Sequence, residues 1–389
     1  MGHSIKSSAA GTVLGFLLLG TAPALAQTTP ADTGAVAPRA PWVVGAYAQG
    51  SIILQHTYAI KHLVASHPTG FELNVQRQTT GAAPWHQWYR YPKVGLALTY
   101  YDFHNPIVGH IFAVSPYLSK TFSRGPKHDL SFRVGAGLAY LTHPYDRVSN
   151  HRNTIASSAL NATMQLRVEY DYALTPHLGL LLGLALNHYS NGATSKPNFG
   201  VNLPSLVLGL NYHQQRPARP GGPGLAHAPD EGQLFYNAST SLGFKQRTAG
   251  DPKKYLVNSL TLAVGRRMNR KSNLLLGAEG FFDRSLLGQL DDTLRAGAAR
   301  PDVRKISVFA GHELLFGRLA VVAHLGFYVY APYKSSTVYY ERLGLKYHFT
   351  EALFGAIDLK IHRGAADVVE FKLGARLPAH RPLRPGAGR

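Results

Sequence analysis

Sixteen segments of roughly 10 to 15 residues, each alternating apolar with small or polar side chains, dominate this 389-residue chain. The first eight fall at 44–58, 69–80, 92–103, 108–122, 128–142, 157–173, 177–190 and 201–214. The second eight fall at 234–248, 255–268, 271–284, 303–315, 318–331, 337–349, 351–362 and 367–377. Successive side chains of a strand point to opposite faces, so each segment predicts a strand with two unlike faces. Soluble strands average about 5–6 residues, whereas a strand that crosses a bilayer needs about 9–11 plus its rims. The pattern therefore predicts an all-β chain, a transmembrane antiparallel β-barrel of the outer membrane with about 14–16 strands. A Pro/Gly/Arg-rich break from Arg216 to Gly224, running on to Gly232, divides the set in half. The alternative is thus an eight-stranded barrel plus a second β unit. A single barrel is preferred, because bacterial barrels are usually one closed sheet per chain.

The N-terminus agrees with export. Lys6 precedes an apolar stretch from Ala9 to Leu19, and Ala24-Leu25-Ala26 reads as a cleavage site. The stretch is shorter than the roughly 18 residues of a membrane span. The expected layout is a signal peptide (1–26), a mobile leader (27–41), a barrel half with the active site (42–214), a linker (215–233), a second set of strands (234–378) and a basic tail (379–389). The chain has no cysteine, so packing and hydrogen bonding alone must stabilise it. Lys and Arg number 40 against 21 Asp and Glu, a formal charge of +19. Export argues against a nucleic-acid partner. An anionic membrane surface such as phosphorylated lipopolysaccharide fits both the charge and the compartment.

One segment carries chemistry. In 177–190 the even positions are Leu178, Leu180, Leu182, Leu184, Leu186, His188 and Ser190, while the odd positions are mostly small or polar. On a barrel the leucine ladder faces lipid, so His188 and Ser190 continue the lipid-facing row. Leu178 to Leu186 covers about 30 Å of strand, or about 21 Å of height when tilted, which nearly fills the hydrocarbon. The pair then sits at the level of the ester bonds to acyl chains. This is the seventh strand and follows a tight connection, Leu174-Thr-Pro176, so with periplasmic termini it runs outward to the outer leaflet. In the next strand Asn202 shares the parity of Leu206, Leu208, Leu210 and Tyr212. Ser190 can serve as nucleophile, His188 as its base, and Asn202 as the group that fixes the imidazole tautomer. The loop from Asn191 to Gly200 offers amide N–H groups and polar side chains for an oxyanion hole. No HExxH motif occurs among the 19 histidines, and no metal or other cofactor is expected.

Asn187-His-Tyr-Ser-Asn191, followed by Lys196-Pro-Asn-Phe-Gly200 and a strand, resembles the PagL-type lipid A deacylase (acyloxyacyl hydrolase) family. The resemblance implies an outer-membrane barrel that hydrolyses an ester-linked acyl chain of lipid A without a metal. It implies Ser190 as nucleophile, His188 as general base and Asn198 as side-chain donor to the oxyanion, with loop backbone at Asn191, Gly192 and Ala193 beside it. The family's acidic triad member falls at Asn202, an amide here. Glu169 and Asp171 are alternative carboxylates, although strand parity favours neither. The second half, including Tyr339–Tyr347 and His362–Asp367, looks like longer Bacteroidetes-type members. His362 is read as a rim or lumen residue. The expected partners are lipopolysaccharide as substrate and outer-membrane lipids. The rival reading is a non-catalytic porin or structural barrel that binds lipopolysaccharide.

Overall fold

The computed structural model describes residues 41–216, 231–295 and 298–379. The expected signal peptide, all but the last residue of the leader, most of the linker and nearly all of the basic tail lie outside the described residues.

The first half forms β1 (Trp42–Ser51), β2 (Thr69–Gln78), β3 (Lys93–Asp102), β4 (His110–Arg124), β5 (His128–Leu141), β6 (Leu160–Ala173), β7 (Leu178–Ser190) and β8 (Val201–His213). The second forms β9 (Leu234–Gln246), β10 (Lys254–Asn269), β11 (Ser272–Asp283), β12 (Lys305–Phe316), β13 (Leu319–Tyr330), β14 (Tyr339–His348), β15 (Leu353–His362) and β16 (Ala365–Pro378). All sixteen expected strands are present, antiparallel and joined in sequence. Their closure differs from the preferred expectation. β1 pairs with β8, and β9 pairs with β16, so the strands form two closed barrels of eight instead of one of sixteen. Alternation is the same in either arrangement, since it records only which face is buried. The choice depends on whether β8 finds β1 or β9 as its neighbour, and that is a pairing between distant segments.

Both exteriors are apolar. Leu184 and Leu206 are 64% and 69% exposed, and they belong to belts that include Leu208, Leu262, Leu276 and Leu373. Such a surface matches hydrocarbon and not water. Among the described residues no helix is long and apolar enough to cross a membrane, so any crossing is made by strands.

The interiors are polar and filled. An eight-stranded barrel is just wide enough for side chains to occupy its lumen. In the first, buried Glu72 receives Arg133 Nη1 at 2.8 Å and also pairs with Arg167. In the second, buried Arg342 donates to Glu279 at 2.8 Å and also pairs with Glu370. Buried charges persist only when paired in this way. Glu169 and Asp171 point inward too: Glu169 lies against Arg133, and Asp171 accepts from Asn211 and contacts His213. Neither carboxylate replaces the missing acid beside His188, because odd positions of β6 face the lumen.

Long loops cover the same end of each barrel. A 3-10 helix at Tyr58–Leu63 buries Ile60 and Leu63 against Phe103, Val108 and Ile155. On the second barrel an unexpected helix, Arg284–Thr293, starts at Asp283, whose side chain accepts the Ser285 N–H, and buries Leu286 and Leu290.

Candidate active site

The burial pattern of β7 confirms its two faces: Leu181, Ala185, Asn187 and Tyr189 are buried inward, whereas Leu182, Leu184 and Leu186 are exposed. His188 and Ser190 continue the outward row and are half-buried. In β8 the outward row runs through Leu206, Leu208, Leu210 and Tyr212, with Asn202 on the same side. β7 and β8 pair so that His188 lies directly opposite Asn202. Directly opposed residues have Cβ atoms about 5 Å apart, within side-chain hydrogen-bonding reach.

That register assembles a relay. His188 Nε2 lies 2.9 Å from Ser190 Oγ, and His188 Nδ1 lies 2.7 Å from Asn202 Oδ1. An amide oxygen can only accept, so Nδ1 carries the proton and Nε2 is left to accept from the serine hydroxyl. A residue that parity cannot reveal fixes the amide. His56, from the β1–β2 loop, places Nε2 2.9 Å from Phe199 O and Nδ1 3.3 Å from Asn202 Nδ2. His56 Nδ1 also lies 3.3 Å from Leu54 O, but the shorter carbonyl contact is the one at Nε2, so Nε2 donates to Phe199 O and Nδ1 is left to receive the Asn202 amide. Phe199, His56, Asn202, His188 and Ser190 thus form one directed chain.

The floor beneath is rigid. Asn187 Nδ2 donates to the Tyr101 hydroxyl at 2.9 Å, and that hydroxyl donates to Gln49 Oε1 at 2.6 Å, all within the lumen. Gly200 closes the other side with φ +70°, and a Cβ there would stand 3.0 Å from His188 Cε1.

The loop between the two strands brings the other expected residues together. Asn198 Oδ1 accepts the Asn191 N–H at 2.9 Å, which occupies that amide and leaves the Asn198 NH2 as the donating end. Gly192 and Ala193 take left-handed conformations, with φ +62° and +68°. Among the described residues their N–H groups have no acceptor. Ala193 tolerates this strained backbone because its surroundings hold it; it is buried.

Much of what holds the loop comes from the second barrel, which the sequence did not connect with the site. Gln246, at the end of β9, accepts the Lys196 N–H at 2.8 Å, and its own N–H reaches Ala193 O at 3.4 Å. Lys254, at the start of β10, donates to Ser195 Oγ at 2.9 Å. A Cβ on Gly192 would lie 2.3 Å from Val369 on β16, so only glycine fits that contact. His362 donates to or accepts from Tyr328 OH at 2.9 Å inside the second barrel, away from this loop's hydrogen bonds. Among the described residues no group of three or more His, Asp or Glu is placed to hold a metal ion.

Two family profiles match the chain. One described as lipid A 3-O-deacylase (PagL) covers residues 69–211, and one described as the C-terminal domain of acyloxyacyl hydrolase covers 234–379. The first spans β2 to β8 and leaves out β1, and the second spans β9 to β16. No curated protein matches the chain. Among solved structures, the outer membrane enzyme PagL is 16% identical over 42% of this chain and 97% of its own, with a TM-score of 0.31. Neisserial surface protein A is 13% identical over 44% of this chain and 96% of its own, with a TM-score of 0.30. The Pseudomonas putida toluene transporter TodX is 9% identical over 88% of this chain and 91% of its own, with a TM-score of 0.19.

Proposed function

We propose that this chain, which matches the lipid A 3-O-deacylase (PagL) profile over residues 69–211 and the acyloxyacyl hydrolase C-terminal profile over 234–379, is a member of that family and an outer-membrane serine esterase that removes an ester-linked acyl chain from lipid A. The observation that carries the reading is the position of the His188 relay. A histidine bonded to both a serine hydroxyl and an orienting amide faces outward, where a leucine belt ends. A lipid held by its acyl chains against that belt presents its ester carbonyls at this level.

The proposed chemistry needs only the chain's own residues. Ser190 Oγ attacks the acyl carbonyl while its proton passes to His188 Nε2. Asn202 Oδ1 holds the Nδ1–H and so keeps the imidazole in the accepting tautomer. The tetrahedral oxyanion receives hydrogen bonds from the Asn198 NH2 and the free N–H groups of Gly192 and Ala193. Collapse breaks the ester bond, and the sugar hydroxyl leaves with the proton from His188. Water then attacks the acyl-enzyme by the same route, with His188 again as base. The product is a free fatty acid and a lipid A short of one chain. Export by a signal peptide cleaved near Ala26 places the barrels in the outer membrane, with the site in the lipopolysaccharide leaflet.

The rival reading as a porin is not favoured, because both lumens are occupied by paired side chains. Lipid A mass profiles from cells expressing wild type or Ser190→Ala separate catalysis from mere binding. Wild type is expected to produce a species lighter by one acyl chain, and Ser190→Ala none. Identical, fully acylated profiles from both would sink the proposal.

A further inference from the structure

At the loop end of the second barrel lies a cavity of about 440 Å³, bounded on one side by Lys196 of the proposed catalytic loop. This is the size of a small-molecule site. Its lining places five cationic side chains, Lys196, Lys245, Arg247, Lys305 and Lys360, against three carboxylates, those of Asp283, Asp292 and Asp367.

The carboxylates are already committed. Asp283 and Asp367 both contact Lys245, at 2.5 and 2.6 Å, and Asp367 also faces Lys360 at 3.4 Å. Asp292 accepts from Arg247 at 2.6 Å. Among the described residues no carboxylate comes within ion-pair distance of the other two cations, Lys196 and Lys305. Lys305 is only 7% exposed, and its ammonium instead donates to the hydroxyls of Ser335 and Ser336 at 2.9 and 2.8 Å. A buried ammonium with neutral partners alone is costly unless a counter-charge arrives. Lys196 is in a related position: burial holds its ammonium below the usual lysine range, Asp367 offsets this only in part, and Lys245 nearby adds to it.

We propose that this cavity binds a phosphate monoester, carried on the sugar headgroup of the same lipid whose acyl ester reaches Ser190. A phosphate monoester brings close to two negative charges and three accepting oxygens. The site offers two ammonium groups without an ion-pair partner among the described residues, and two serine hydroxyls. A single carboxylate would leave one cation unanswered. Lys196 lies in the loop between β7 and β8, so phosphate bound there also draws on the loop that carries the proposed oxyanion donors. The second barrel thereby becomes the part of the molecule that reads the headgroup, while the first acts on the ester. This assignment rests on the deacylase reading for its choice of lipid, but not for its anion chemistry.

The test uses the full chain in detergent micelles, with lipid A bearing its phosphates and the same lipid after phosphatase treatment. Wild type is expected to show a KM about tenfold lower for the phosphorylated form, the range of a charge-assisted contact. Lys305→Met and Lys196→Met should each erase most of that preference, and Lys305→Arg should keep it. Equal KM values for the two lipids in wild type, or an undiminished preference in both Met variants, would overturn the proposal. Heat-modifiable migration on gels checks that each variant is folded. A second measurement does not depend on hydrolysis: titration of inorganic phosphate into Ser190→Ala, followed by calorimetry. Saturable binding that disappears when Lys305→Met is added supports the site, and no saturable binding overturns it. If wild type releases no acyl chain from either lipid, the deacylase reading fails, while the phosphate titration still decides the cavity.

Discussion

His188 sits between the Ser190 hydroxyl, which the proposed mechanism has it deprotonate, and the Asn202 amide, which can only orient it, so its geometry is sensitive at the residue scale. A carboxylate at position 202 would hold the imidazole and also stabilise the imidazolium formed when Ser190 gives up its proton; Asn202 does only the first. Asn202→Asp is therefore expected to match or exceed the wild-type rate of acyl release, whereas Asn202→Leu should lose at least about tenfold. Release of fatty acid from lipid A by purified protein reads both, and a folded but inactive Asp variant would count against the relay. Gly200 tests position alone. Its φ of +70° and the 3.0 Å approach of a Cβ to His188 Cε1 leave no room for a side chain. Gly200→Ala should cut kcat by between about tenfold and a hundredfold, as small displacements of catalytic groups do, while the barrel still folds. His188, Ser190 and Asn202 were legible in the sequence because strand parity and a motif both point to them. His56 was not, since it lies 146 residues from Asn202 in a loop with no periodicity to place it.

At the scale of elements, the strands are the predictable part and the loops are where the site is finished. Period-2 alternation located every strand, and the outward row of β7 and β8 gave the face of the site. It could not show that the β7–β8 loop leans on the β9–β10 end of another barrel. Gln246 accepts the Lys196 N–H there, and Lys254 bonds Ser195. Gln246→Leu removes the acceptor, so the loop should sample more conformations and kcat should fall by about tenfold. Gln246→Glu keeps an oxygen in place and should restore most of the rate. Steady-state kinetics on the two variants decides the point; equal activity of Gln246→Leu and wild type would show that the contact does not position the loop. The helix Arg284–Thr293 is also an element the sequence reading missed. Its first residue, Arg284, falls inside the strand expected over 271–284, and the Asp283 cap is visible only once the strand is known to end there.

At the scale of the molecule, closure as two eights instead of one sixteen changes what the interior can do. A barrel of sixteen strands leaves an aqueous channel, whereas eight leave space only for side chains. Here that space holds Glu72 with its arginines and Arg342 with its carboxylates. Purified protein in planar bilayers should accordingly show no open-channel current steps, and stable ohmic steps would contradict filled lumens. The closure also brings the two halves side by side. Tyr89 stacks on Phe316 at 4.4 Å near the turn ends, and the proposed catalytic loop meets β9, β10 and β16 at the other.

The sequence by itself determined the sixteen strands, which residues of each face outward, and the adjacency of His188 and Ser190 at the rim. These follow from local rules: alternation fixes a strand's two faces, and residues two apart share one of them. Only the tertiary structure decided that β8 closes on β1, that His56 orients Asn202, and that Gln246 and Lys196 meet. Each of these is a contact between segments far apart in the chain. Their pairing is set by the relative stability of whole closed sheets, and no local pattern records it.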